Sequence, residues 1–235
     1  KPKIGTIICL PVINIFGFIN LQREFPDGRD LNRVFPGSKS GSLASRVAYH
    51  LMKEVPALQK DFKFPDIGLR MIKQMPMLFF GGRNSKVFMH YDIDFANILH
   101  FHFHGKKQCI IYPPSESKYL YKVPHALISR EDIDFRSPDL EKFPALKKAK
   151  GYVTELNHGE TLYMPEGYWH QMTYLTAGFS MSLRATPRTF LNLSKAVYNL
   201  VIMRNFDNYM RKLRGQKWID YKNRKAIENT NKVVR

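Results

Sequence analysis

Two histidines and one aspartate have the types and order of ligands that hold iron(II) in oxygen-activating sites. His90 and Asp92 are separated by one residue, and His170 lies further along the chain. Two imidazoles and a carboxylate can bind one face of a metal ion and leave its opposite positions open. Side chains two residues apart on an extended segment point to the same side. We therefore predict that His90, Asp92 and His170 are metal ligands, with no catalytic residue beyond the metal site.

The elements around these residues favour an antiparallel β-barrel. The third ligand follows residues 159–165, which combine a turn, a short apolar strand and a proline, so His170 is expected at a neighbouring strand end. Many short strands with turn signals are typical of such a barrel. The predicted strands are 77–80 (buried), 95–104, 108–112, 153–156, 161–164 and 178–184, with a long insert at 114–150.

Three ordered motifs carry a resemblance to a known family. They are Met-His-Tyr-Asp at 89–92, Gly-Lys-Lys-Gln-Cys-Ile-Ile-Tyr-Pro-Pro at 105–114, and Gly-Glu-Thr-Leu-Tyr-Met-Pro followed by Tyr-Trp-His at 159–170. From about residue 54 to the C-terminus, the chain resembles the JmjC (cupin-8) Fe(II)/2-oxoglutarate oxygenases. The resemblance implies a mainly β fold, a double-stranded β-helix barrel with C-terminal helices. It also implies Fe(II) and 2-oxoglutarate as cofactors, and hydroxylation of a protein, RNA or small molecule.

The resemblance also implies residues that bind 2-oxoglutarate. The far carboxylate of this cosubstrate needs a cation, and the match of the motif at 105–114 indicates Lys107. Lys106 should face the other way because strand side chains alternate. Asn97 matches a polar position that lines the family pocket. Arg184 is a second candidate, and a structural salt bridge is the alternative for it.

Three further histidines alternate with phenylalanines on one predicted strand: His100, His102 and His104. A second metal site is one interpretation of this pattern. Residues two apart on a strand are spread over about 6–7 Å, so their imidazoles do not converge without partners. We expect these histidines to line a pocket or a polar strand face.

The first fifty residues have a different character. Residues 5–14, 23–37 and 41–48 resemble parts of the succinylglutamate desuccinylase/aspartoacylase family of zinc carboxypeptidases, whose substrate-recognising Asn-Arg pair maps onto Asn32 and Arg33. The upstream His-x-x-Glu zinc motif and the later ligand histidine are absent, so no metal could activate water there. The segment is predicted to be a fragment joined to the barrel near residues 48–56. Alternatively, residues 6–15 supply barrel strands and the likeness is accidental. The predicted domains are 1–52, 53–187 and a basic helical region at 188–235.

Composition limits the partners and the compartment. The net charge is +17, and residues 188–235 hold 12 Lys and Arg against 3 Asp and Glu. This excess favours nucleic acid or another acidic partner, but a solvated helix face is the simpler explanation, since no RNA- or DNA-binding motif accompanies the charge. Cys9 and Cys109 are the two cysteines, which suits a reducing cytoplasm. The apolar run at 6–19 is too short and interrupted to span a membrane.

After Pro187 the apolar residues recur at helical spacing, which predicts helices over the last part of the chain. The residues that share this stripe are Leu193, Val197, Leu200, Phe206, Met210 and Leu213. The resemblance implies a homodimer through these helices, and packing of the stripe on the chain's own barrel is the alternative. Two other functions also remain: a non-catalytic cupin module with a basic binding surface, and a zinc-dependent deacylase, which the missing ligands disfavour.

Overall fold

The computed structural model describes residues 14–20, 24–31, 34, 37–59, 64–73 and 76–234. Asn32, Arg33, Cys9 and most of the strand region proposed at 6–15 lie outside the described residues. The chain divides into two compact units, Lys1–Pro65 and Asp66–Arg235.

Among its described residues the first unit has the helices α1 (Ile15–Asn20) and α2 (Leu43–Gln59), and α2 runs through the predicted junction at 48–56. Asp27 holds the start of α2, because its carboxylate accepts hydrogen bonds from the backbone N–H groups of Ala44 (2.9 Å) and Arg29 (3.1 Å). The bond from Ala44 is the main reason that the pKa of Asp27 lies below its ordinary value. Phe25, Ala44 and Ala48 are buried.

The second unit contains two antiparallel sheets. Its strands are β1 (Met77–Gly81), β2 (Asn97–His104), β3 (Lys107–Tyr112), β4 (Tyr152–Leu156), β5 (Thr161–Met164), β6 (Trp169–Tyr174) and β7 (Gly178–Ala185). One sheet has the order β1-β7-β2-β5 and the other has the order β4-β3-β6. The antiparallel arrangement agrees with the sequence prediction, whereas closure into one barrel is not observed among the described strands.

Strand register decides which polar side chains share a face. In the first sheet His100 lies opposite Ser182 and His102 lies opposite Ser180. In the second sheet Lys107 lies opposite Tyr174, and Ile111 lies opposite His170. Directly opposed residues project to the same side of a sheet, so each pair has a common direction.

Two buried clusters support these sheets. The larger one joins the start of the metal-site segment to the long insert, through residues such as Met89, Tyr91, Tyr121 and Trp169. The smaller one includes Cys109 and Met172, together with residues of β2, β4 and β5. The insert contains two short 3-10 helices, Pro114–Tyr119 and Pro144–Lys148.

The prediction that the strand at 77–80 is buried is wrong. Strand β1 lies at the edge of its sheet, and Leu78 and Phe80 are 58% and 74% exposed. A continuous apolar run is typical of a strand covered on both faces, and this run gave no sign that the face of β1 with Leu78 and Phe80 is open, whereas Phe79 on the other face lies near His100.

The C-terminal region is helical, as predicted. It contains α3 (Phe190–Val197), a π-helical stretch at Tyr198–Met203, α4 (Arg204–Arg214) and α5 (Gln216–Val234). The Thr189 side chain caps α3 by accepting a hydrogen bond from the backbone N–H of Asn192. Among the described helices, none combines the length and hydrophobicity that crossing a bilayer requires.

The predicted apolar stripe on these helices is not packed against the chain's own sheets. Five of its six side chains are exposed, and the sixth, Met210, is partly buried. The alternative of packing on the barrel therefore gains no support, and the homodimer stays a prediction.

Two glycines in different turns, one before β3 and one before β5, differ in how closely their neighbours pack. Gly105 and Gly159 both have positive φ, at 83° and 85°. A Cβ at Gly105 would collide with the carbonyl oxygen of Ala177, whereas one at Gly159 would meet nothing within 4 Å. We expect Gly105→Ala to lower the free energy of unfolding by about 2–5 kcal/mol, and Gly159→Ala by only about 1–2 kcal/mol. Urea denaturation measures both values, and equal losses would contradict the packing described for Gly105.

Candidate metal centre

His90, Asp92 and His170 meet in the structure. Their ligand atoms all lie within 4.8 Å of one another. The imidazole rings of His90 and His170 have centroids 4.3 Å apart, and Asp92 Oδ1 lies 3.9 Å from His90 Nε2. The sequence thus identified three side chains that the fold brings together.

Backbone pairing brings the two histidines together. The His90 N–H donates to the His170 carbonyl at 3.1 Å, and the His170 N–H donates to the His90 carbonyl at 2.7 Å. Lys86 and Thr173 also form an antiparallel β-bridge. His90 forms a further antiparallel β-bridge with Ile128, which lies in the long insert. The extended segment 86–90 is therefore held by β6 and by the insert. Sequence analysis predicted the position of His170 but no strand at 169–174, because every residue of β6 is buried and no alternation is visible.

Hydrogen bonds fix the tautomers of both histidines. His90 Nδ1 lies 2.7 Å from the Phe88 carbonyl and His170 Nδ1 lies 3.1 Å from the Tyr168 carbonyl. A carbonyl only accepts, so each Nδ1 carries the proton and each Nε2 keeps a free lone pair. Burial, followed by the charge of His90, lowers the pKa of His170 to about 4. The neutral imidazole is the form that binds a metal.

Arg184 lies beside the carboxylate of the centre. Its NH2 nitrogen is 3.0 Å from Asp92 Oδ2, and its Nε donates to Asp94 Oδ2 at 3.2 Å. NH2 also contacts Asp94 Oδ1. Burial alone would lower the pKa of Arg184, but the two carboxylates outweigh burial and raise it. These contacts are those of the salt bridge that sequence analysis gave as the alternative, and a role for Arg184 in cofactor binding stays a prediction.

The donor set fits a divalent transition metal. Two neutral imidazole nitrogens and one carboxylate form the ligand set of non-haem Fe(II) sites. Asp92 Oδ2 is buried and has the Arg184 guanidinium beside it, at 3.0 Å. Asp92 Oδ1 lies 3.9 Å from His90 Nε2 and is the carboxylate oxygen left for a metal ion.

Lys107 is a buried cation near the other end of the same strand pair. Its side chain is 1% exposed, and its Nζ lies 3.0 Å from His100 Nε2 and 2.8 Å from Ser180 Oγ. The ring of Tyr174 lies 4.1 Å from Nζ. No carboxylate pairs with Lys107 among the described residues, and burial lowers its pKa to about 8. Lys106, its neighbour, is exposed.

His100 and His102 line this pocket. His100 Nδ1 lies 2.7 Å from Ser182 Oγ, and His102 Nδ1 lies 2.8 Å from Ser180 Oγ. Because His100 Nε2 accepts from Lys107, His100 is neutral, and burial followed by the Lys107 charge lowers its pKa to about 3. His104 is exposed, and the three histidines form no metal-binding group within the described part of the chain. Sequence analysis missed the two serines, whose two-residue spacing on β7 matches that of the histidines.

The comparisons with known proteins identify the family. The profile of the cupin-like domain matches residues 29–212. The chain belongs to the cupin-like domain family.

Two curated relatives of this cupin-like chain are named for their JmjC domains. JmjC domain-containing protein F of Dictyostelium discoideum is 29% identical over 184 residues, which cover 63% of this chain and 38% of the relative. Jumonji C domain-containing protein 5 of Drosophila melanogaster is 32% identical over 154 residues, covering 62% and 37%. Human tRNA wybutosine-synthesizing protein 5 is 27% identical over 122 residues, covering 52% and 37%. The chain thus spans less than two fifths of these relatives' lengths, and the predicted JmjC/cupin-8 membership is confirmed.

The resemblance of residues 1–50 to a zinc deacylase is not supported. The cupin-like match begins at residue 29 and includes Asn32 and Arg33. The family match thus covers the two residues that the deacylase likeness singled out, and the predicted domain boundaries stay a prediction. The likeness rested on three short segments without metal ligands, which is a weak signal.

Asn97 lies away from the pocket of this cupin-like domain. Its amide donates to the Thr186 carbonyl at 3.2 Å and accepts from the Tyr163 hydroxyl at 2.7 Å. On β2 it is an odd-numbered residue, whereas His100 and His102 are even-numbered, so Asn97 projects to the opposite face. The structure does not bring Asn97 to Lys107, and its role in cofactor binding stays a prediction.

We expect Arg184→Gln to weaken metal binding by roughly 10- to 100-fold, because removing a partner that orients a metal-binding carboxylate has this effect. Anaerobic titration with Fe(II), or with Co(II) followed by absorbance, measures the affinity. Arg83→Gln is the matched control, since Arg83 is exposed. Unchanged metal affinity together with weakened 2-oxoglutarate binding would show instead that Arg184 binds the cosubstrate.

Proposed function

We propose that this protein is an Fe(II)- and 2-oxoglutarate-dependent oxygenase that hydroxylates its substrate. The observation that carries the proposal is a triad of metal ligands together with a buried lysine that lacks a carboxylate partner. The triad suits the metal, and the lysine suits the free carboxylate of the cosubstrate. JmjC-domain relatives at about 30% identity agree with this class of chemistry without specifying the reaction.

In this proposal the Nε2 atoms of His90 and His170 and the carboxylate of Asp92 hold the iron. Bound iron supplies the activation of oxygen that is coupled to decarboxylation of 2-oxoglutarate. The protein's part is to orient both imidazoles, through the carbonyls of Phe88 and Tyr168, so that Nε2 is the nitrogen available to the metal. Arg184 keeps one oxygen of Asp92 directed away from His90.

Lys107 would bind the far carboxylate of 2-oxoglutarate. Burying a charge without a counter-charge is expensive, so a buried lysine that meets only neutral partners suits an anionic ligand. Lys107 and Ile111 are four residues apart on β3, and Ile111 lies opposite His170, which gives a separation of ~13 Å along the strand. An elongated diacid and the lysine side chain together can bridge such a separation. The face between them carries Cys109 and Met172, which are apolar and buried.

The proposal also includes the type of β fold. We infer that the two antiparallel sheets are the halves of a double-stranded β-helix, with the metal ligands near one end. The support is that β3 and β6 in one sheet carry Lys107 and His170, and that β2 and β7 in the other carry the two buried histidines and their serine partners.

The central experiment measures metal content and uncoupled conversion of 2-oxoglutarate to succinate. We expect one Fe(II) per chain in the wild type, and loss of both binding and turnover in His90→Ala and Asp92→Ala, because a triad without one ligand no longer fixes the metal. His104→Ala is the control, since His104 is exposed and lies outside the triad. Equal iron occupancy in the wild type and in the three variants would contradict the assignment of the ligands. Bound iron and cosubstrate without succinate would indicate a non-catalytic module.

The lysine has its own test. Lys107→Ala should raise the dissociation constant of 2-oxoglutarate about tenfold or more, because a charge-assisted hydrogen bond contributes about 1.5–3 kcal/mol. Lys106→Ala should leave this constant nearly unchanged, since Lys106 is exposed. Anaerobic calorimetry with a bound divalent metal measures both. If the two variants behaved alike, the pocket assignment would be wrong.

A further inference from the structure

An open groove of ≈ 820 Å³ lies where α4 ends and α5 begins. Its lining includes the cations Arg214, Lys217 and Arg224 and the aromatic residues Trp218 and Tyr221. No carboxylate belongs to the lining, and all of these residues lie in the described part of the chain. These residues are distinct from the candidate metal ligands and have no role in the proposed oxygenase chemistry.

The cations of the groove are largely unneutralised. Arg214 and Lys217 are exposed and have no ion-pair partner among the described residues, and Arg224 meets Glu228 only at 3.7 Å. By contrast, the cations beneath the groove are paired, since Asp207 contacts Arg211 at 2.7 Å and Lys222 at 2.5 Å. The groove surface therefore has a positive electrostatic potential, and a bound anion would neutralise part of its charge.

An ordered pair of aromatic rings accompanies this charge. Trp218 and Tyr221 stack with centroids 5.5 Å apart and planes 18° apart. The Trp218 Nε1–H donates to Asp207 Oδ1 at 2.8 Å, which fixes the buried ring. Tyr221 is 40% exposed, so part of its ring is open to a ligand. Lys225 Nζ lies 6.0 Å from the Tyr221 ring centroid.

One segment connects the groove with the metal centre. His125 stacks on Trp218 at 5.8 Å, and Arg130 donates to the Asn223 carbonyl at 2.8 Å. The same segment, residues 125–130, bridges His90 through Ile128 and accepts a hydrogen bond from the Tyr91 N–H at Leu127. A ligand in the groove would therefore contact a helix that is hydrogen-bonded to the segment beside the triad.

We propose that this groove binds single-stranded nucleic acid, with phosphodiesters on Arg214, Lys217 and Arg224 and an unstacked base on Tyr221. Cations that follow the backbone and an aromatic ring that accepts a base are the two elements of such sites. A duplex keeps its bases stacked and offers none to the ring. An acidic peptide or an anionic membrane would satisfy the charge but would leave the ordered ring without a function. The inference does not depend on the oxygenase activity.

The test uses the full chain and a fluorescein-labelled oligouridine of about ten nucleotides, with anisotropy measured over a range of salt concentrations. We expect saturable binding that weakens with salt. The double variant Arg214→Ala/Lys217→Ala should reduce the slope of log K against log salt by about 1.4, which corresponds to two lost phosphate contacts on a single strand. The charge-matched control is Arg83→Ala/Lys106→Ala, because both residues are exposed and lie on other elements.

A second pair of variants tests the ring. Tyr221→Phe should bind like the wild type, and Tyr221→Leu should bind roughly fivefold or more weakly, since base stacking on a planar ring is lost. Thermal melts verify that all variants are folded. The proposal is overturned if no salt-dependent binding occurs, or if both double variants lose affinity equally. It is also overturned if polyglutamate competes as well as unlabelled oligonucleotide, or if phosphatidylserine vesicles bind and the oligonucleotide does not.

Discussion

The reciprocal backbone hydrogen bonds between His90 and His170 are the contact on which the candidate metal centre depends. They join an extended segment to β6 across 80 residues of chain, and they set the two imidazole rings side by side. In an antiparallel pair of this kind the two residues exchange both bonds, so their side chains necessarily project to the same face. A slip of one residue would send one imidazole to the opposite face and separate the ligands.

The buried interior beside this contact favours the neutral forms of the imidazoles. Burial lowers the pKa of His170 and of His100, and the serines on β7 accept or donate hydrogen bonds without adding charge. Burial also raises the pKa of the Cys109 thiol to about 12, so it acts as an apolar group between the triad and Lys107. Among the described residues of this interior, Lys107 is the buried cation that meets only neutral polar partners, so its field is left unscreened.

Local patterns were enough to predict the triad, the helices after Pro187 and most strands, because a His-x-Asp motif and a short apolar run between turn residues are local signals. The orientation of Lys107 also followed from simple alternation. Properties set by distant partners could not be predicted. The exposure of β1 depends on what covers the sheet, and the role of Arg184 depends on two carboxylates about 90 residues away. Asn97 shows the limit of motif matching, since a shift of one position on β2 reverses the face to which a side chain points.

The contacts of Arg184 also determine the charge balance of the centre. Asp92 and Asp94 would together present two negative charges, but the guanidinium that contacts both leaves a single one. A divalent ion then turns the centre net positive, so the end of an anion that approaches the triad would be repelled before the metal enters and attracted afterwards, whereas Lys107 attracts its other end in both states. Electrostatics would then favour binding of the metal before the acid, without any movement of the protein.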